Sequence, residues 1–375
     1  MSYILKHKDT ELIRFDLFRE IDGIRAGILS VDESKKGLLP LDMKADEKSL
    51  ARWLKNRTIP ANRAYVSNFL AKLGLHEKDT IGILNLCSGL SLNDCYWVVS
   101  DDNKASFAEK NLYDNRISRV LSEIAFTGYG SINKSSVRSS SPEFTTNGML
   151  AKAWRRMRGE MILYKSGTEG FANSGNEPYS EYYASQIAEA MGLRATPYGL
   201  SQWKGRLCST CRLFTSKEIS FIATGHLVRE GGISAVMDYY QSIGPNSYAD
   251  LLNMLLFDAV IFNEDRHFGN FGLLVDADEN RIIDTAPIFD NGLSLFCYAM
   301  ANDLDDIEQY AKTRRPSVYN DFVEFSGRFM TSEQKQMLRK LVGFHFKKHS
   351  TYNLSDNRLH AIERMIQVRV QELLG

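Results

Sequence analysis

The octapeptide NEDRHFGN, Asn263–Asn270, is the stretch that decides how this chain of 375 residues is interpreted. It lies between a strongly apolar, helix-like run and a strand-like hairpin, so it is predicted to be a loop held by rigid elements, where functional residues often occur. The loop offers the carboxylate of Asp265 and, five residues on, the amide oxygen of Asn270. A second isolated acid, Asp290, follows in PIFDNG. Two carboxylates and an amide oxygen are hard ligands that suit Mg²⁺ held together with substrate phosphates.

A lysine on an otherwise apolar strand face is the next informative feature. Glu160–Lys165, EMILYK, alternates as a strand does, and Lys165 shares a face with two apolar residues. An unpaired ammonium is costly to bury, so this lysine is predicted to have an anionic partner. The helical stretch Tyr179–Met191 follows, with Gly192 as its C-cap and Glu181 in its first turn.

These residues supply the groups that phosphoryl transfer requires. The reaction needs an aspartate near the attacking hydroxyl, an asparagine and an aspartate on the metal, and a lysine on the nucleotide phosphates. The chain provides them in the order Lys165, Glu181, Asp265, Asn270 and Asp290. Each residue alone has a structural explanation, and the combination is what favours catalysis.

The remaining pattern predicts a mixture of strands and helices. The segment Gly130–Gly148 is rich in Ser, Thr, Asn and Gly and is predicted to be a loop or a boundary. Ser247 is predicted to cap the long apolar helix, with Asp250 completing a capping box. The other expected elements are strands at Leu207–Phe214 and Ile219–Ala223, a hairpin of Phe271–Val275 and Arg281–Ile283 around Asp276–Asn280, and helices over 303–375.

Composition excludes several classes of protein. Lys and Arg number 46 and so do Asp and Glu, which argues against a basic nucleic-acid arm, a polybasic lipid anchor and an acidic tail. The most apolar stretch, Leu251–Phe262, is too short and too polar to span a bilayer. Charges at the start of the chain do not fit a signal peptide, and five cysteines make no disulfide framework. We therefore expect a cytoplasmic protein without membrane contact.

The assembled motifs resemble the HipA-like serine/threonine kinases, which are distant relatives of protein kinases and phosphatidylinositol kinases. The pair DRHFGN and FDNG is the specific part, and the resemblance covers about residues 141–375. The matching segments are Ser141–Trp154, Glu160–Gly167, Glu177–Leu193, Phe262–Leu274 and Ala286–Gly292.

The resemblance implies a role for each candidate residue. Asp265 would be the catalytic base that orients the acceptor hydroxyl, and Asn270 and Asp290 would bind Mg²⁺. Lys165 would hold the ATP phosphates and pair with Glu181. The resemblance also implies a phosphate-covering loop, which would be formed by Thr145, Thr146, Asn147 and Gly148. It further implies an adenine-contacting hinge, which would be formed by Arg212, Leu213 and Phe214.

A regulatory hypothesis follows from the same resemblance. In some family members a serine of the phosphate loop is autophosphorylated, which ejects the loop and switches the enzyme off. Ser141, Thr145 and Thr146 are the candidates here. Adding about two negative charges beside the triphosphate would oppose ATP binding.

The implied fold class is α+β, a two-lobed kinase-like fold with a small β-rich lobe, a large helical lobe and an additional N-terminal region. The predicted divisions are an N-terminal region of unknown role at 1–125, an N-lobe with the phosphate loop at 126–235, and a helical C-lobe with the catalytic and metal-binding loops at 236–375. Residues 1–125 contain no catalytic constellation and no match to the N-terminal part of the best-known toxin kinases.

The favoured function is an ATP- and Mg²⁺-dependent serine/threonine protein kinase acting on a protein substrate. The resemblance also implies a toxin role with an antitoxin or other regulatory protein as partner, and direct nucleic-acid binding is not expected. Three alternatives stay open: a phosphotransferase acting on a lipid or small molecule, a nucleotide-binding pseudokinase, and a nucleotidyl transferase.

Overall fold

The computed structural model describes residues 2–21, 23–131 and 141–375. The chain divides into two compact units. Unit 1 comprises Met1–Tyr164, Leu213–Ile222 and Leu274–Ile283, and unit 2 comprises Lys165–Arg212, Ala223–Leu273 and Asp284–Gly375. Residues on both sides of the predicted division at 125 fall in unit 1, and the three-part division stays a prediction.

Strands and helices occur in short runs along the chain. The strands are β1 Ser2–His7, β2 Thr10–Glu20, β3 Gly23–Val31, β4 Tyr96–Ser100, β5 Lys152–Met157, β6 Glu160–Ser166, β7 Gly199–Trp203, β8 Arg206–Arg212, β9 Ile219–Ala223, β10 Gly272–Asp276 and β11 Arg281–Thr285. The helices are α1 Glu47–Lys55, α2 Val66–Lys72, α3 Thr80–Cys87, α4 Phe107–Lys110, α5 Arg119–Thr127, α6 Glu177–Met191, α7 Thr224–Leu227, α8 Gly232–Ile243, α9 Pro245–Ile261, α10 Ala301–Asp305, α11 Ile307–Ala311, α12 Phe322–Arg328, α13 Ser332–Arg339 and α14 Asp356–Leu374.

Unit 1 is built on an antiparallel sheet with strand order β3-β2-β1-β4. Leu5 lies opposite Ile13 on β2 and opposite Val98 on β4. Because side chains alternate along a strand, Leu5 packs into a core that includes Trp53, whereas its neighbour Ile4 belongs to a core on the other face. The sheet is thus buried on both faces.

Two hairpins of unit 1 follow from local turn chemistry. Arg158 and Gly159, both with positive φ, make the turn between β5 and β6. Asp276 accepts hydrogen bonds from the backbone of Asp278 and Glu279, which makes the predicted turn between β10 and β11. The expected strand at Ile219–Ala223 is β9, and it pairs with β10 in a sheet of order β11-β10-β9.

Unit 2 contains the antiparallel pair β7 and β8 and most of the helices, among which α9 is buried along its second half. The predicted cap of α9 at Ser247 is wrong. The helix begins at Pro245, because proline suits the first helical position, and Gly244 precedes it with a φ of 154°. Asp250 makes no capping box and instead accepts a hydrogen bond from the Thr285 hydroxyl at 2.5 Å.

Helix α6 also starts earlier than its sequence pattern predicted. It begins at Glu177 with Pro178 in its first turn, and it ends at the predicted Gly192, whose φ is 79°. Glu181 is therefore placed one turn into the helix rather than in the first turn. This position moves its carboxylate away from the helix end and into the interior of unit 2, where the residue is fully buried.

The helices expected between residue 303 and the end of the chain are α10 to α14. The acidic run within 303–308 starts α11, because the Asp306 side chain accepts from the backbone of Gln309. In the parts of the chain that the structure describes, no helix is long and apolar enough to cross a bilayer.

Candidate active site

Lys165 is the residue around which the site is organised. It lies near the end of β6 with 8% of its surface exposed, and its Nζ donates to Glu181 Oε1 at 2.9 Å. The same ammonium forms a salt bridge with Asp290. The second oxygen of Glu181 accepts a hydrogen bond from the backbone nitrogen of Asn291 at 2.7 Å. The anionic partner that the sequence demanded is thus a pair of carboxylates, both from unit 2.

The charges in this group are set by burial and by one another. Burial alone would lower the pKa of Lys165, but Asp290 and Glu181 outweigh it and raise that pKa well above its usual range. Burial raises the pKa of Glu181, with Lys165 opposing and Asp290 adding to the effect. Lys165 is therefore a fixed cation at neutral pH, held by two acids.

Asp290 lies two residues after Ile288, in the segment that joins β11 to α10. Its φ is 58°, a left-handed conformation that aspartate tolerates better than most residues. Its backbone nitrogen donates to the Tyr198 hydroxyl at 3.1 Å. Asp290 itself pairs with Lys165, while Asn291, the next residue, bonds to Glu181.

The predicted loop around Asp265 is held by a set of short-range hydrogen bonds. The backbone nitrogen of Asp265 donates to Asn263 Oδ1 at 3.1 Å, and the side-chain nitrogen of Asn270 donates to the Asp265 carbonyl at 3.0 Å. Because the amide nitrogen of Asn270 is used in this way, its amide oxygen is the atom left for a cation. Asp265 is half-buried, and His267 is exposed, with its Nδ1 accepting from Gly269 at 3.0 Å.

Burial also raises the pKa of Asp265. His267 lowers this pKa, and Asp290 raises it further. The influence of Asp290 shows that the two carboxylates are electrostatic neighbours. Removing a proton from one makes it harder to remove a proton from the other.

Arg266 and Asp258 are the site residues that the sequence analysis missed. Arg266 Nε donates to Asp258 Oδ2 at 2.9 Å, and both residues are at most 1% exposed. Other nitrogens of Arg266 donate to the Asn270 carbonyl at 3.0 Å and to Asn291 Oδ1 at 2.6 Å. The available signal was Asp258 itself, since a carboxylate inside an apolar helix requires a buried cation.

The predicted phosphate loop, Thr145–Gly148, lies in unit 1. The Thr145 hydroxyl donates to the Leu90 carbonyl at 2.8 Å, and the Thr146 hydroxyl donates to the Pro142 carbonyl at 2.7 Å. Lys152 Nζ donates to the Asn147 carbonyl at 2.8 Å, and Gly148 has a φ of 93°. Its role in covering phosphates stays a prediction, and residues 132–140 of the preceding segment lie outside the described residues.

The predicted hinge, Arg212–Phe214, divides between the two units. Arg212 ends β8 in unit 2. Leu213 and Phe214 belong to unit 1, where the Leu213 nitrogen donates to the Met161 carbonyl at 3.0 Å and the Phe214 ring packs edge-on against Phe221. Its contact with adenine stays a prediction.

The donor set fits a magnesium ion that is shared with phosphates. Asn270 and Asp290 offer hard oxygens, but Mg²⁺ takes six ligands and is usually bound by one or two protein groups together with substrate phosphates and water. Among residues 2–21, 23–131 and 141–375, no cluster of three or more His, Cys, Asp or Glu side chains could hold a metal alone. The cation Lys165 in the same group suits the phosphates themselves.

The chain has a kinase-like fold and is similar to two known proteins. Over 153 residues, or 35% of this chain, the sequence is 25% identical to serine/threonine-protein kinase CtkA of Helicobacter pylori, and the match spans 47% of that kinase. The matched part is thus about half the length of this curated relative. The solved structure of HipA from Shewanella oneidensis MR-1, in a complex with HipB and operator DNA, covers 99% of both chains with a TM-score of 0.62 and 10% identity.

A crystal structure of H. pylori CtkA covers 60% of this chain and 91% of its own, with a TM-score of 0.48 and 16% identity. No family model matches the chain. The α+β kinase-like fold and the resemblance to HipA-like kinases are confirmed. The HipA match also takes in residues 1–125, so the absence of a sequence match there did not mean a different fold. That HipA structure contains operator DNA. The expectation that this chain does not contact nucleic acid is therefore not supported.

Proposed function

We propose that this chain is an ATP- and Mg²⁺-dependent serine/threonine protein kinase that transfers the γ-phosphate of ATP to a protein hydroxyl. One observation carries the proposal: Lys165 Nζ is 2.9 Å from Glu181 Oε1 and also pairs with Asp290, in the unit that holds the Asp265 loop. The kinase-like fold supports the same class of reaction.

Each residue has a defined task in this proposal. Glu181, fully buried, fixes the ammonium of Lys165 so that it can bind nucleotide phosphate oxygens. Asn270 and Asp290 would hold Mg²⁺, which supplies charge neutralisation for the phosphates. Asp265 accepts a hydrogen bond from the acceptor hydroxyl, orients it and takes up its proton as the oxygen attacks. Positioning and electrostatic stabilisation, rather than covalent chemistry, provide the rate acceleration.

The proposed acceptor is a serine or threonine of another protein, in line with the curated kinase to which the chain is similar. We further propose that a second protein regulates the enzyme as an antitoxin regulates its toxin, since the HipA neighbour was solved with HipB. Co-expression with the product of an adjacent gene, followed by size-exclusion chromatography, tests this partner. If the two proteins elute separately and the second protein does not inhibit phosphoryl transfer, the proposed regulation by this partner is refuted.

The activity is tested by incubating the full chain with γ-labelled ATP, Mg²⁺ and host lysate. We expect label on protein with the wild type, and no label with Asp265→Asn, which keeps the shape of the side chain and removes the base. Asp305→Asn is the matched control, because Asp305 is an exposed acid of α10 in the same unit. Equal labelling by the wild type and Asp265→Asn would contradict the proposal.

A further inference from the structure

Arg266 is the most connected buried side chain of the candidate site. Its surface is 1% exposed, and its guanidinium meets Asp258 through two nitrogens, at 2.9 Å each. Its Nη1 donates to the carbonyls of Asn270 at 3.0 Å and Phe289 at 2.5 Å, and its Nη2 donates to Asn291 Oδ1 at 2.6 Å. One side chain therefore contacts three separate stretches of chain: α9, the Asp265 loop and the segment that contains Asp290.

The chemistry of these contacts requires arginine. The guanidinium is planar and presents five donors in a fixed fork, whereas the lysine ammonium is a compact charge on a flexible stem. Asp258 neutralises the guanidinium, which would otherwise be very costly to bury. Because Asp258 lies within α9, the fork is anchored to a rigid helix rather than to either loop.

The contacts fall beside the proposed metal-binding residues. Arg266 holds the backbone carbonyl of Asn270 itself and groups immediately before and after Asp290. Asn263, which accepts from the Asp265 backbone, also donates to Asp258 at 2.8 Å. The Asp258–Arg266 pair thus restrains the segments that carry the proposed base and both proposed metal ligands, although it bears none of their functional atoms.

We propose that Arg266 is a positioning residue of the phosphoryl-transfer site: anchored by Asp258, it holds the segment of Asp265 and Asn270 in register with the segment of Asp290. The inference rests on the proposed kinase function. Magnesium demands near-ideal octahedral geometry, so two protein ligands on different segments must be kept at a fixed separation. A displacement of about 1 Å at a reacting group can lower a rate about 100-fold.

The test compares Arg266→Lys with Arg369→Lys in the full chain. Arg369 is a matched control, because it too is buried and contacts α9, donating to the Ala259 carbonyl at 2.7 Å and lying over the Phe262 ring. It makes none of the contacts to Asn270 or Asn291. Both variants keep the positive charge and lose the fork, and thermal unfolding measures how far each loses stability.

We expect Arg266→Lys to lower kcat about 100-fold at saturating ATP, and to raise the Mg²⁺ concentration needed for half-maximal rate about tenfold. Arg369→Lys should leave both quantities near their wild-type values, even where its Tm falls by the same amount. Equal effects of the two variants at equal loss of Tm would overturn the proposal, since Arg266 would then act through stability alone.

A readout without catalysis separates this inference from the proposed function. Hydrogen exchange in the nucleotide-free chain should become faster in both 263–270 and 289–293 for Arg266→Lys, and in neither for Arg369→Lys. Unchanged exchange in either segment would refute the positioning role, whatever the activity. The two proposals can therefore fail separately. If the wild type shows no phosphoryl transfer, but Arg266→Lys speeds exchange in both segments, the kinase assignment is refuted and the positioning of the two segments by Arg266 is established.

Discussion

Replacing Arg63 with methionine should break the buried ion pair that holds the predicted phosphate loop to the N-terminal region. Arg63 and Glu143 have fully buried side chains, and Arg63 Nη2 lies 2.7 Å from Glu143 Oε2. Arg63 also donates to the carbonyls of Glu143 and Lys152, each at 2.7 Å. The other oxygen of Glu143 accepts from the backbone of Trp154 at 2.8 Å. The pair thus ties the start of the loop to β5, and both belong to unit 1.

The magnitude follows from the burial. Removing one partner of a buried ion pair leaves an uncompensated charge and costs about 3–5 kcal/mol. Arg63→Met would leave the Glu143 carboxylate as an uncompensated buried charge, with its hydrogen bond from Trp154 intact. For a unit of this size each kcal/mol lowers the Tm by about 2–4 °C, so the expected loss is roughly 6–20 °C.

The assay is a double-mutant cycle of Arg63→Met, Glu143→Gln and the double variant, measured by urea unfolding. The double variant should be more stable than the sum of the two single losses predicts, because it buries no unpaired charge, and coupling of such neighbours is about 0.5–3 kcal/mol. Arg119→Met is the control: its pair with Glu123 on α5 is exposed and should contribute about 0.3–0.5 kcal/mol. Strictly additive losses, or a loss for Arg63→Met no greater than for the control, would show that Arg63 and Glu143 are not a coupled buried ion pair.

Three further predictions concern the candidate site and its loop. The phosphoryl-transfer rate should fall as the pH decreases, and the fall should begin at a pH above the ordinary pKa of aspartate. The reason is that burial raises the pKa of Asp265 and a base works only above its pKa. A pH–rate profile that stays flat down to the ordinary aspartate pKa would contradict this prediction. Lys165→Met should abolish transfer and cost about 3–5 kcal/mol in urea unfolding, since fully buried Glu181 loses its cation; a variant with wild-type stability would argue against the pair. Phosphopeptide mapping after incubation with ATP should find phosphate between Ser131 and Thr146, and its absence would dismiss the autophosphorylation hypothesis.

The autophosphorylation prediction carries a structural condition. Ser141 and Thr145 are buried, at 1% and 7% exposure, and the Thr145 hydroxyl is bonded to Leu90. The Thr146 hydroxyl donates to Pro142 and accepts from the Trp154 ring nitrogen at 3.1 Å. A phosphate on either threonine would therefore break hydrogen bonds that hold the loop, which is how modification could release it.

The sequence was most informative where one short segment determines its own structure. The alternation of Glu160–Lys165 predicted β6 and the need of Lys165 for an anion, and the structure supplies Glu181 and Asp290. Gly192 ends α6 as predicted, because an αL cap is a local property of glycine. The turn at Asp276 is likewise local, since its side chain bonds to backbone two and three residues away.

What the sequence could not give depends on contacts between distant residues. The partner of Asp258 is eight residues away, and its link to Asn291 through Arg266 appears only when the chain has folded. The N-terminus of α9 was misplaced because Ser247 and Asp250 fit a capping box, while Asp250 is engaged by Thr285, 35 residues further on. Residues 1–125 matched nothing by motif, yet the HipA fold extends over them, since a fold can persist at 10% identity.

The proposed activity is transfer of the γ-phosphate of ATP to a protein hydroxyl by the group of Lys165, Glu181, Asp265, Asn270 and Asp290. It is tested most directly by parallel incubations with γ-labelled and α-labelled ATP, each with Mg²⁺ and host lysate, followed by phosphoamino-acid identification. We predict γ-label on serine or threonine, none from the α position, and loss of the γ-label in Asp265→Asn. Protein labelled from the α position would show nucleotidyl transfer, and ATP binding without any labelled protein would show a pseudokinase; either result would contradict the proposed protein kinase activity.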